Sequence, residues 1–172
     1  MATNLCAPVN QEDFETLNIL ASRVSRQAGW RLPDMMLVRE DERGKILRRS
    51  DAPWLGGHTL LLRPKAQALL GSLVKGDAEF LPLSCGGEDV ALLNVTRLVD
   101  ALDEAASSIV RFSTGRVMDI EQYGFRADRI QPHHVFKIPN LRLSPTFVDE
   151  TIVTAWTSAL LQGISFRVIW ST

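Results

Sequence analysis

No apolar run in this chain extends beyond a few residues, well short of the roughly 18 that a membrane-spanning helix needs. The opening stretch, MATNLCAPVNQEDFETL, has neither a basic n-region nor an apolar h-region, so a classical export signal is not expected. Excess charge of one sign is missing too: 19 Lys and Arg stand against 20 Asp and Glu, a formal net charge of -1. A near-neutral protein has no overall field to draw in nucleic acid. Direct nucleic-acid binding and membrane binding are therefore not expected, and a charged partner must be met by a local patch. Cysteine is scarce. Cys6 and Cys85 form neither a metal spacing nor a disulfide framework, which points to a reducing compartment, by default the cytoplasm. Walker loops, GxGxxG, metal-ligand clusters and His-paired nucleophiles are all missing. No catalytic residue, metal or cofactor is assigned, and the chain is not read as an enzyme.

What is present is an ordinary globular composition, 45% hydrophobic and 23% charged over 172 residues. That length suits one domain spanning 1–172, burying roughly 70% of the surface of the unfolded chain. Four segments carry helical spacing. Phe14, Leu17, Ala21 and Val24 predict a helix over 11–28, and Pro64 followed by Ala66, Leu69, Leu70 and Leu73 predicts one over 64–74. Asn94 as N-cap, with Val95, Leu98, Val99 and Leu102 behind it, predicts a helix over 95–104. Asp149 and Glu150 open a fourth over 149–162, with Ile152, Trp156, Ala159 and Leu160 buried and Gly163 as its stop.

Strand signals fill most of the remainder. EFLPLSC and EDVALLNV flank Gly86-Gly87 as a hairpin, and residues 35–49 read as a second hairpin with Gly44 in its turn. Leu60 to Leu62, SSIVRF, GRVMDIEQYGF and HHVFKIPN read as strands, and Ile164, Phe166, Val168 and Trp170 alternate as a closing strand. The expected fold is α+β, a mainly antiparallel sheet of about eight strands with about four packed helices.

The residues that resemble chemistry are weak candidates for it. Cys85 lies near Glu79, Glu88 and Asp89, which disfavour the thiolate a nucleophile needs, and His58 stands alone. His133 and His134 would point to opposite faces of a strand and could not chelate one ion; one is expected packed and the other solvated. Asp100, Asp103 and Glu104 share the solvated face of the predicted helix, where desolvation cannot tune a general acid. With Glu79, Glu88 and Asp89 they form an acidic cluster over residues 79–104, opposed there by the single Arg97. Trp54 is expected to be buried beside a core strand, with an exposed contact role as its other reading.

Taken in order, PLSCGGEDVALLNVTRLVDALDEAAS, VFKIP, a helix, the GISF turn and a tryptophan-bearing strand resemble bacterial immunity protein family eleven. The likeness covers about residues 79–170 and extends more loosely to RSDAPWLGGHTLLLRPKAQALL; the first 40 residues match no named family. The resemblance implies an antidote of a polymorphic toxin system used in bacterial competition. Such a protein binds a cognate toxin domain, a nuclease or another intracellular enzyme, and neutralises it without catalysis. A basic toxin cleft would favour an acidic patch. Glu88, Asp89, Asp100, Asp103, Glu104 and Trp54 are the candidate contacts, and a homo-oligomer is compatible with the sequence. A small hydrolase or transferase assembled from Cys85, His58, His133 and Glu88, or a ligand-sensing scaffold, is the alternative.

Overall fold

The structure, a computed structural model, describes residues 3–10, 13, 25–56, 59–141 and 143–171. Residues 11–12 and 14–24 of the helix expected over 11–28, and the isolated His58, fall outside the described residues; 25–28 are not helical. In chain order the described elements are β1 (Leu5–Pro8), β2 (Asp34–Val38), β3 (Trp54–Gly56), β4 (Thr59–Leu62) and α1 (Pro64–Leu70). There follow β5 (Ala78–Cys85), β6 (Glu88–Val95), β7 (Ser108–Arg111), β8 (Val117–Gln122), α2 (Ala127–Ile130), β9 (Val135–Phe136), β10 (Phe147–Val148) and α3 (Glu150–Ser158). The chain is mostly strand with a few helices.

Six strands close into a barrel in the order β1-β2-β5-β6-β4-β3, where a mainly antiparallel sheet with about four packed helices was expected; three helices are found among the described residues. The long β5–β6 hairpin is its spine, paired from Ala78 with Val95 to Cys85 with Glu88. Gly86 and Gly87 turn it with φ of 57° and 80°, the left-handed pair that a two-residue hairpin turn requires. A Cβ at Gly86 would also approach Leu37 Cβ to 2.9 Å, because the turn abuts β2. Along β6, Val90 and Leu92 fill the barrel with Cys6, Met35, Leu61, Leu81, Leu83 and Cys85. Leu93 and Val95 face the other way, onto Ala66 and Leu70 of α1 and Ile152 and Trp156 of α3. A strand covered on both faces reads as an unbroken apolar run, as VALL over 90–93 does.

Of the three expected helices that fall on described residues, those over 64–74 and 149–162 form, but shorter. Pro64 sits in the first turn of α1, which ends at Leu70, and the Asp149 carboxylate caps α3 by accepting from the Ile152 N–H at 3.2 Å. Past α3, Gly163 is required: its φ is 109° and a Cβ would lie 2.4 Å from the Ala52 carbonyl oxygen.

Four expectations need correction. The helix over 95–104 does not form. β6 runs through Val95, and the next residues bond to distant segments: Val99 N–H to Lys137 O, Lys137 N–H to Arg97 O, and Asp103 N–H to Gly124 O, each at 2.9 Å. Asn94 is no N-cap but a buried strand residue whose amide donates to Glu79 Oε1. Burial of Val99, Ala101 and Leu102 against Phe125 and Ile138 outweighs the helical spacing. Second, the closing strand is unpaired; residues 161–171 are neither helix nor strand. Third, Cys6 and Cys85, 79 positions apart, are joined in a disulfide inside the barrel, with Cα atoms 6.3 Å apart. β1 and β5 flank β2 on either side, so two inward-facing cysteines meet although sequence spacing gives no sign of it. The argument from unpaired cysteines to a reducing compartment loses its basis. Fourth, Trp54 is 56% exposed; its neighbour Leu55 takes the inward position.

Candidate functional site

Between β6 and β7 the backbone is held by isolated bridges, Leu98 with Lys137 and Leu102 with Phe125, rather than by a ladder. These bridges bring three separated segments, 100–105, Arg126 and Asn140, around one shallow cleft of about 430 Å³. Asp100, Asp103 and Glu104 line it together with Leu102, Ala105, Arg126 and Asn140. Three of the six candidate contact residues therefore converge, although not on the helix face from which they were inferred.

Each carboxylate has a different degree of freedom. Asp103 is engaged in structure: its Oδ1 accepts from the Ala105 N–H at 3.0 Å and the Ala106 N–H at 3.3 Å, and its carbonyl accepts from the Ser107 hydroxyl at 2.6 Å. Glu104 accepts from Arg111 Nη2 at 2.6 Å, while Arg111 Nη1 donates to the Gly115 carbonyl. Asp100 is the freest. Its side chain is 74% exposed, with Oδ1 3.7 Å from Arg126 Nη2, which donates at 2.7 Å to the Asp100 carbonyl oxygen instead. Two polar atoms of the lining, Arg126 Nε and Asn140 Oδ1, are buried without a partner among the described residues. Sequence reasoning missed both residues, because nothing local marks them; only the bridges bring them to the acids.

Glu88, Asp89 and Trp54 are not part of this cleft. Glu88 opens β6 and is surrounded by cations: Arg63 bonds its Oε2, Arg39 donates to Oε1 at 3.1 Å, and Arg49 approaches Oε2 at 3.5 Å. Arg63 is itself buried, its Nε donating to the Ser50 carbonyl at 2.8 Å. A carboxylate that meets three guanidiniums contributes no negative patch, so this half of the acidic cluster is a structural ion network. Asp89 lies exposed beside it, across the hairpin from Ser84. Arg97, counted in the sequence as the local counter-charge, instead pairs with Asp77 at 2.7 Å.

Nor do the described residues of the enzyme alternative, Cys85, His133 and Glu88, assemble. Cys85 is in the disulfide. His133 and His134 each take their own carboxylate, Asp77 at 3.0 Å and Asp149 at 2.8 Å, and both are partly buried, where one packed and one solvated ring were expected. Burial, with Asp119 adding and Arg167 opposing, pushes the Tyr123 hydroxyl above its ordinary value. Glu79, the third acid of the β5–β6 hairpin beside Glu88 and Asp89, is tethered. Burial pushes its carboxyl up, but donation from the Arg26 N–H at 2.6 Å, the Ser25 hydroxyl at 2.7 Å and the Asn94 amide at 2.8 Å outweighs that and holds it below its ordinary value. Among the described residues, no group of three His, Cys, Asp or Glu is placed to hold a metal ion. No described helix is long and apolar enough to cross a membrane.

Comparison with known proteins matches residues 83–171, just over half of the chain, to the model of the Immunity protein family (Imm11). No curated protein matches the chain.

Proposed function

The chain belongs to this immunity protein family, and from that premise we propose that it is an antidote that binds one cognate toxin domain and neutralises it without chemistry of its own. The acidic cleft is the surface that meets the toxin. One observation carries the choice: every residue lining the cleft, from Asp100 to Asn140, lies inside the family-matched span 83–171, whereas Trp54 and the arginines around Glu88 precede it. A lining of three carboxylates against Arg126 suits a basic partner surface, such as the substrate cleft of a nuclease or another enzyme toxin acting inside the cell. The toxin belongs to a polymorphic system used in bacterial competition, and the chain protects its producer.

The proposed place of action is the cytoplasm. A disulfide is unusual there. Counting free thiols in denatured protein taken directly from cells decides the point: two per chain fit a cytoplasmic pool with both cysteines packed as reduced core residues, and none fits an oxidising compartment.

The test is a titration of the toxin domain encoded beside this chain. Inhibition should rise linearly to a stoichiometric end point, a toxin from an unrelated system should be unaffected, and added salt should slow association by screening the cleft. Protection by trace amounts of the chain would overturn a binding mechanism.

A further inference from the structure

We propose that Arg126 is a contact residue of the cleft rather than a counter-ion for its acids: its guanidinium donates to an uncharged carbonyl oxygen of the toxin, next to the basic side chain that Asp100 and Glu104 receive. The inference rests on the cleft being the surface that meets the toxin, and adds the chemistry of a second partner group. A guanidinium is a rigid fork of N–H donors, and three other arginines of this chain divide it between a carbonyl and a carboxylate. Arg63 bonds the Ser50 carbonyl and Glu88, Arg97 the Gly76 carbonyl and Asp77, and Arg111 the Gly115 carbonyl and Glu104. Arg126 departs from that pattern. Its Nη2 donates at 2.7 Å to the Asp100 carbonyl but stops 3.7 Å from the Asp100 carboxylate, beyond hydrogen-bond reach. Its Nε is buried without a partner among the described residues, and its Nη1 makes no hydrogen bond among them either. The side chain is 40% exposed, so the unused part of the fork is open to a partner. The Asn140 amide, which lines the same cleft, also forms no hydrogen bond among the described residues, and its Oδ1 is buried.

Closure of the cleft by a partner decides what those donors need. A donor that loses water without gaining an acceptor costs about 1–3 kcal/mol, so a complex that covers Arg126 must supply an oxygen. A carboxylate in that role would be repelled by Asp100 and Glu104; a peptide or side-chain amide carbonyl is not. Asp100, 74% exposed beside the fork, is left to take the basic side chain. The toxin therefore presents a cation and a carbonyl as neighbours, and Arg126 reads the second of them. Charge arithmetic alone gives the opposite expectation: if Arg126 merely neutralised the acids, removing it would strengthen binding to a basic surface.

Binding kinetics of the full chain with its cognate toxin domain separate the two. Arg126→Gln should raise the dissociation rate at least about tenfold, equivalent to about 1.4 kcal/mol, and leave the association rate unchanged or up to about twofold faster. Arg126→Lys, which keeps the charge and loses the fork, should also raise the dissociation rate, at least about threefold. Salt should slow association of both variants as it does for the parent, because the acids are still in place. A dissociation rate in Arg126→Gln that falls or stays the same, or an Arg126→Lys variant that behaves as the parent, would overturn the proposal. So would a slower, salt-insensitive association in Arg126→Gln, which would give Arg126 the merely structural task of holding the 100–105 segment. The pair Asp100→Lys with Glu104→Lys tells this failure from that of the cleft itself. Affinity lost in the pair, with dissociation unmoved in Arg126→Gln, sinks this inference alone; affinity unchanged in the pair sinks the cleft and this inference together.

Discussion

At the end of the barrel one carboxylate, Glu88, is held by three guanidiniums, whereas in the cleft three carboxylates stand beside one lining cation, Arg126, which approaches Asp100 alone, while Arg111 pairs with Glu104. The difference follows from how the backbone is fixed in each place. Ladders joining β4 to β6, and β6 to β2 through β5, bring side chains from several strands onto a single point, so the buried Arg63 must be satisfied locally or remain buried and unpaired. The 96–107 segment is held by bridges and by the turn that Asp103 caps, which leaves its acids at the surface with solvent as their other partner. Charge in the barrel is structural; charge in the cleft is available to a partner.

The largest expected effect is on the barrel. Replacing Cys6 and Cys85 together by alanine opens a loop of 79 residues, and should cost about 2–5 kcal/mol in urea unfolding relative to the oxidised protein. A loss near zero would mean that apolar packing alone fixes β1 against β5.

Next in size is a matched pair of neutralisations. Glu88→Gln strands the buried Arg63 and should cost about 2–3 kcal/mol, discounted from a fully buried pair because Glu88 is 26% exposed. Glu104→Gln removes the same charge from an exposed pair and should stay within about 0.5 kcal/mol. Equal costs would erase the distinction between the two regions.

A smaller effect is read by pH. Because the folded protein holds the Glu79 carboxyl below its ordinary value, its stabilisation is present above the ordinary carboxylate pKa and is lost as pH falls through the folded value. Between those limits the parent protein should lose stability with acid more steeply than Glu79→Gln, in unfolding curves recorded at successive pH values. Parallel curves would show that the Ser25, Arg26 and Asn94 contacts do not distinguish the two charge states.

The barrel was the more legible region. Gly86-Gly87, the paired apolar runs around it, Pro64 and Asp149 are local signals, each tied to a backbone conformation or cap by its own chemistry, and all four appear where they were read. Closure of the sheet was not legible, because it depends on β1 meeting β3 through little more than Leu5 and Trp54. The cleft was half legible. Asp100, Asp103 and Glu104 could be picked out as a charge cluster, but their helical spacing came from Val99 and Leu102, which are buried by partners far along the chain. Arg126 and Asn140 carry no motif at all. The closing strand fails for the converse reason: its local pattern is right, and the chain supplies no partner for it.

The central proposal, that the cleft and not the barrel end meets the toxin, is tested most directly by charge reversal scored as affinity for the cognate toxin domain. The pair Asp100→Lys with Glu104→Lys, which leaves the Asp103 turn intact, should raise the dissociation constant at least about tenfold, roughly 1.4 kcal/mol. Asp89→Lys, exposed at the barrel end, controls for long-range field and should change it by no more than about twofold. An unchanged affinity in the cleft variant, or a loss as large from Asp89→Lys alone, would contradict the account.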